Sequence, residues 1–126
     1  GHSRGTVAAA AQAINLGPTV VSGVVLSASI AAGRRMDTYV TEMPLEQITV
    51  PVLVMSAAND RCDEWTPKAA ASVVAEKLVN SPQVSLIYPE GARDAGDVCK
   101  ALSAHSYWGI QDKVTNSVSD FINKNL

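Results

Sequence analysis

The sequence lacks two features that would indicate a nucleic-acid or membrane protein. Its 10 Lys and Arg residues are outnumbered by 12 Asp and Glu residues, so no basic excess is available to bind a phosphate backbone. Its longest apolar run, residues 20–30, is interrupted by three serines and a glycine, and it is shorter than the roughly 18 residues that a membrane span requires. We therefore expect neither a nucleic-acid partner nor a membrane span.

Cysteine and histidine are also scarce, with two residues of each kind. Cys62 and Cys99 are either two free buried thiols, as is usual inside cells, or one disulfide, and composition leaves both options open. Each cysteine lies in a loop that also carries a candidate catalytic residue. A disulfide would therefore tie those two loops together.

Short apolar, β-branched runs alternate with helical patterns along the chain. This alternation predicts an α/β fold, with a parallel sheet and flanking helices. A polar excursion over residues 33–47 follows the first strand, and Thr66 is a candidate N-cap for the second helix. Three strands make a small sheet, so residues 1–126 are predicted to be the C-terminal portion of one larger domain whose N-terminal strands are absent. The predicted strands are 19–27, 52–56 and 84–88, and the predicted helices are 6–14, 67–79 and 110–122.

The chain begins with Gly1-His2-Ser3-Arg4-Gly5, a G-x-S-x-G pentapeptide followed by an Ala-rich helical segment. In serine hydrolases this motif is a sharp strand-to-helix turn that exposes the serine Oγ, so the entering strand should lie upstream of Gly1. We expect so tight a turn to require small residues at Gly1 and Gly5. The alternative is a glycine-rich turn that merely opens a helix.

A nucleophilic serine needs a general base and an acid that orients the base. His2 adjoins Ser3 in the turn and points away from it, which leaves His105, placed between the last strand and the final helix, as the base. Asp60 comes soonest after the second strand and is favoured as the acid over Asp63 and Glu64, which precede a helix and suit its positive end.

Together these segments resemble the α/β-hydrolase superfamily from its nucleophile elbow to its C-terminus. The elbow, Asn59-Asp60-Arg61-Cys62 and Cys99 to Ile110 are similar to a subgroup of bacterial hydrolases with one cysteine two residues after the triad aspartate and another shortly before the triad histidine. The resemblance implies that Ser3 is the nucleophile, His105 the base and Asp60 the orienting acid.

The resemblance also implies one oxyanion donor, the backbone N–H of Arg4, with a second from a loop outside this sequence. For the Arg4 side chain, a salt bridge beneath the elbow is favoured over contact with an anionic substrate. Tyr107 and Trp108 are assigned either to the pocket or to the core. Pairing of Cys62 with Cys99 is favoured, which implies a periplasmic or secreted protein, with free thiols in a cytoplasmic protein as the alternative.

The function implied is a carboxylesterase-like serine hydrolase that cleaves a small ester through an acyl-enzyme, without metal or cofactor. The alternatives are a thioesterase or peptidase that uses the same triad, and a non-catalytic binding module or an incomplete fragment. The missing N-terminal half of the domain is the expected partner of this segment, and whether the isolated 126 residues are active stays open.

Overall fold

A three-stranded parallel sheet organises the protein, as a computed structural model describing residues 1–34 and 37–126 shows. The strands lie side by side in their sequence order, and three helices of the described residues flank them. The predicted α/β class, a parallel sheet with flanking helices, is confirmed. In chain order the elements are α1 (Gly5–Leu16), β1 (Val24–Ser27), β2 (Val52–Met55), α2 (Ala69–Lys77), β3 (Val84–Ile87) and α3 (Gln111–Asn125).

The central strand β2 is buried on both faces because helices cover the sheet on both sides. Alternate side chains of a strand point to opposite faces. Val52 and Val54 accordingly join one apolar cluster with residues of α1 and α2, whereas Leu53 and Met55 join a second cluster with Phe121 of α3. The continuous apolar run that predicted β2 is thus explained by a three-layer arrangement.

The residues before Ser3 extend the sheet beyond β1. Ser27 N–H donates to Gly1 O at 3.0 Å and Ser3 N–H donates to Ser27 O at 2.8 Å, which is a parallel bridge between His2 and Ser27. The chain therefore runs beside β1, turns at Ser3 and enters α1. This is the strand-to-helix turn that the pentapeptide predicts.

Two of the predicted elements begin two or more residues later than expected. Strand β1 begins at Val24 because Gly17, with φ of 64°, starts a turn in which Val20 N–H and Val21 N–H both donate to Gly17 O. Helix α2 begins at Ala69, so Thr66 is not its N-cap and its hydroxyl bonds elsewhere. The N-cap expectation for Thr66 was wrong.

The predicted polar excursion is partly internal. It contains two short 3-10 turns, Val40–Glu42 and Leu45–Gln47, in which Val40 and Leu45 are completely buried in the first apolar cluster. Arg35 of this excursion lies outside the described residues. Within the described ranges, every helix is too short or too polar to cross a bilayer.

Candidate active site

Ser3 occupies the turn between the sheet and α1 in a conformation that only a few non-glycine residues adopt. Its φ is 51°, in the left-handed region. A Cβ added at Gly1 would lie 2.2 Å from Gly5 O, so glycine is required there. A Cβ added at Gly5 would meet no described atom within 4 Å, so the structure gives no steric reason for glycine at that second position.

His105 reaches Ser3 from the loop before α3. It lies in a 3-10 turn, Ala104–Ser106, and is 4 % exposed. Its Nε2 is 3.1 Å from Ser3 Oγ. The two residues are 102 positions apart in the sequence, and the fold brings them together at the carboxyl edge of the sheet.

Asp60 completes a chain of hydrogen bonds from the serine hydroxyl to a buried carboxylate. Its Oδ2 is 3.0 Å from His105 Nδ1, and its Oδ1 accepts the Cys62 N–H at 2.9 Å. The carboxylate side chain is inaccessible to solvent. Asp63 and Glu64 are exposed, and neither is among the described hydrogen-bond partners of His105.

Thr66 is a fourth member of this group, and the sequence assigned it only to a helix cap. Its Oγ1 lies 3.1 Å from His105 Nδ1, 3.5 Å from Asp60 Oδ2 and 3.3 Å from Cys62 O. Thr66 is 2 % exposed. Its hydroxyl therefore helps to hold the imidazole and the carboxylate in register.

Cys62 and Cys99 form a disulfide, with an S–S distance of 2.07 Å, so the favoured pairing is confirmed. The bridge joins the loop of Asp60 to the loop of His105. Because Cys62 N–H also donates to Asp60 Oδ1, the bridge and the carboxylate share one short segment of backbone. The disulfide thus limits the drift of Asp60 away from His105.

A salt bridge joins the same two loops a second time. Arg61 Nη2 lies 2.7 Å from Asp94 Oδ2, and Asp94 Oδ1 accepts the Ala104 N–H at 2.8 Å. The Ala104 N–H and the Arg61 guanidinium hold the pKa of Asp94 below its ordinary value. Asp94 therefore stays ionised at neutral pH and fixes the turn that carries His105.

We expect Cys99→Ser to lower the free energy of unfolding by about 4 kcal/mol in the full-length protein. The disulfide joins residues 37 apart, and in the chain-entropy model a loop of that length contributes about this amount. Urea denaturation of wild type and variant measures the difference. Adding a reductant should destabilise the wild type and leave the variant unchanged, and equal urea midpoints for the two proteins would contradict the expectation.

His2 forms its hydrogen bond on the side away from Ser3. Its Nδ1 is 2.9 Å from Ser27 Oγ, which is in turn 2.6 Å from Tyr107 OH. Partial burial, and then repulsion from His105 at a ring distance of 5.0 Å, lower the pKa of His2 to about 4. Burial raises the pKa of Tyr107 to about 12. Both rings are therefore neutral at pH 7, and His2 adds no positive charge beside His105.

An open cavity of about 970 Å³ lies in front of Ser3 and His105. Trp65, Ile30 and the disulfide contribute to its wall. Tyr107 is buried in the second apolar cluster, and Trp108 does not line the cavity. Among the described Phe, Tyr and Trp residues, Trp65 is the one that lines it. The sequence analysis did not single out Trp65. The sequence signal for it was a tryptophan five positions after Asp60, in the same loop as the candidate acid.

Arg4 directly follows Ser3, which is the position expected of the backbone oxyanion donor. Among the described residues the Arg4 N–H donates no hydrogen bond. Its side chain makes none of the described salt bridges; the guanidinium lies 5.7 Å from the centre of the Trp65 ring instead. The favoured salt bridge beneath the elbow is therefore not found among the described residues.

Fold and site together define an α/β protein with a serine, a histidine and a buried aspartate joined by hydrogen bonds at the carboxyl edge of a parallel sheet. No family model, curated protein or solved structure matches this chain.

Proposed function

We propose that this chain is the nucleophile-bearing part of an α/β-hydrolase domain and that it acts as a serine hydrolase on a small ester. The observation that carries the proposal is the continuous path from Ser3 Oγ through both ring nitrogens of His105 to Asp60 Oδ2, with steps of 3.1 and 3.0 Å. Such a path is the arrangement that activates a serine hydroxyl.

The mechanism follows from the roles of the three side chains. Ser3 Oγ attacks the ester carbonyl while His105 Nε2 accepts its proton, and the buried Asp60 carboxylate holds the Nδ1–H tautomer and stabilises the imidazolium. His105 then protonates the leaving alcohol, and an acyl group remains on Ser3. A water molecule, deprotonated by His105, attacks the acyl carbon and releases the acid.

The carbonyl oxygen gains negative charge when Ser3 attacks the ester and again when water attacks the acyl-enzyme. The Arg4 backbone N–H follows the nucleophile and is suited to donate a hydrogen bond to that oxygen. A second donor is expected from the N-terminal half of such a domain, which precedes the elbow. Loss of one such donor typically slows acyl transfer by about 10²–10³-fold.

The disulfide supports a periplasmic or secreted location for the enzyme. Disulfides persist in oxidising compartments, and this one lies beside the proposed catalytic aspartate. Fractionation of the producing cells, with the disulfide state of Cys62 and Cys99 read by thiol alkylation in each fraction, tests this assignment.

Turnover of a substrate panel by the full-length protein tests the reaction class. We expect p-nitrophenyl esters of short acids to be hydrolysed with a higher kcat/KM than acyl-thioesters or peptide anilides of matched acyl groups. Ser119→Ala, a change at an exposed residue of α3, is the control variant and should show the same substrate preference as the wild type. A higher kcat/KM for thioesters or anilides would reassign the reaction, and no turnover of any member would favour a binding module.

A further inference from the structure

The wall of the cavity beside Ser3 carries two arginines that form no ion pair with a described residue. Arg4 follows the nucleophile and Arg34 lies on the loop after β1, and both line the cavity. The other two cations of the cavity are engaged, since Arg61 binds Asp94 and Lys100 lies 3.9 Å from Asp97. Arg4 and Arg34 are therefore the lining cations whose charge has no carboxylate partner among the described residues.

We propose that Arg4 and Arg34 form a subsite for an anionic oxygen group, so that the preferred substrate is an ester carrying a carboxylate or a phosphate-like group near the scissile bond. This inference rests on the proposed function and adds the charge of its substrate. A guanidinium presents several N–H donors in a planar fork that matches carboxylate and phosphate oxygens.

Trp65 holds this subsite in place. Its backbone carbonyl accepts hydrogen bonds from Ala31 N–H at 3.0 Å and Ala32 N–H at 3.2 Å. These bonds connect the loop that carries Asp60 and Trp65 to the loop after β1. The backbone of Gly33, with φ of 104°, packs against the indole so closely that a Cβ there would lie 2.2 Å from Trp65 Cε3.

The indole in turn supports the Arg4 side chain. The guanidinium carbon of Arg4 lies 5.7 Å from the ring centre, within the range of a cation–π interaction. A guanidinium that rests on an aromatic ring loses less conformational freedom when it binds a ligand, and its N–H groups stay available at the rim. Arg34 directly follows Gly33, so the packing of Gly33 on the indole also restrains the backbone next to Arg34.

Asp63 and Glu64 line the same cavity and carry the opposite charge. Both are exposed, and neither forms a described salt bridge with Arg4 or Arg34. Arg4 and Arg34 are exposed as well, so water screens charges of both signs, and the preference for an anion rests on direct contact of its oxygens with the guanidinium N–H groups. We therefore expect the two carboxylates to reduce the preference for an anionic substrate and not to abolish it.

Three p-nitrophenyl esters that differ only at the far end of the acyl chain test the subsite in the full-length protein. The hydrogen adipate carries a carboxylate, the methyl adipate is neutral, and an ester of matched length ends in a phosphonate. We expect kcat/KM for at least one anionic ester to exceed that for the neutral ester by about 2- to 5-fold, the range of a solvent-exposed ion pair. The better of the two anions identifies the group recognised.

Single substitutions test which side chains cause the preference for an anionic ester. Arg34→Gln and Arg4→Gln should each lower the ratio of anionic to neutral kcat/KM. Arg93→Gln, at an exposed arginine outside the cavity, should leave the ratio at its wild-type value. Glu64→Gln should raise the ratio, because it removes an opposing charge from the cavity.

Two results would refute the subsite, and only the second would also refute the proposed hydrolase function. Equal turnover of the neutral and anionic esters, with no change of the ratio in either arginine variant, would refute the subsite and leave the hydrolase assignment intact. Failure to hydrolyse any of the three esters would refute the subsite together with the proposed function.

Discussion

Replacing His105 with alanine is expected to lower kcat for ester hydrolysis about 10⁶-fold, the loss that removal of a triad base causes in a serine hydrolase. His105 Nε2 lies 3.1 Å from Ser3 Oγ, where it is placed to accept the hydroxyl proton. No other imidazole can replace it, because His2 is the only other histidine of the chain and bonds to Ser27. Stopped assays with p-nitrophenyl butyrate and the full-length protein measure the loss.

His2→Gln is the matched control for this prediction. Because the His2 ring makes no described contact with Ser3 Oγ, we expect this variant to lose less than about tenfold, as an indirect effect on the packing of the His105 ring 5.0 Å away. Thermal unfolding of both variants checks that the elbow is intact. A His105→Ala variant that kept kcat within tenfold of wild type would contradict the assignment of the base.

Replacing Asp60 with asparagine is expected to lower kcat about 10⁴-fold. An amide NH₂ facing His105 Nδ1 would favour the tautomer that carries its proton on Nε2, and that nitrogen could then no longer accept the Ser3 proton. The Cys62 N–H can still donate to the remaining side-chain oxygen, so the local fold should survive. The kcat of the purified full-length variant gives the size of the effect.

Asp63→Asn is the matched control for the assignment of Asp60 as the orienting acid. Asp63 was the alternative acid, and it is exposed and makes no described hydrogen bond to His105. We expect this variant to keep kcat within a few-fold of wild type. If Asp63→Asn lost as much activity as Asp60→Asn, the orienting acid would have to be reassigned.

The sequence could predict the parallel sheet and the meeting of Ser3, Asp60 and His105 for one physical reason. Continuous β-branched runs mark buried parallel strands, and the carboxyl ends of parallel strands lie along one edge. Residues that follow different strands are therefore brought together even when they are far apart in the chain. Whether these residues perform catalysis stays a prediction.

The sequence could not predict Thr66, Asp94 and Trp65, because each acts through a partner more than 30 residues away. A threonine just before Pro67 carries the same local signal whether its hydroxyl caps a helix or bonds to His105, 39 residues further along. Asp94 is equally ambiguous until Arg61 and Ala104 lie beside it. Only the packing of the loops selects among these uses.

The turn at Gly17 shows a second limit of prediction from the sequence, because a local glycine turn forms where the apolar pattern predicts a strand. Val20 and Val21 continue the β-branched run of β1, yet both N–H groups donate to Gly17 O, and Val20 is 67 % exposed. Glycine adopts a positive φ at little cost, so a turn forms where the apolar pattern alone predicts a strand.

Labelling of the full-length protein with a fluorophosphonate probe tests the central claim most directly, because the probe reacts only with an activated serine. We predict one adduct per chain, mapped by mass spectrometry to the peptide containing Ser3, in the wild type and in Ser119→Ala, and no adduct in Ser3→Ala. An unlabelled wild type, or an adduct that persists in Ser3→Ala, would contradict the account.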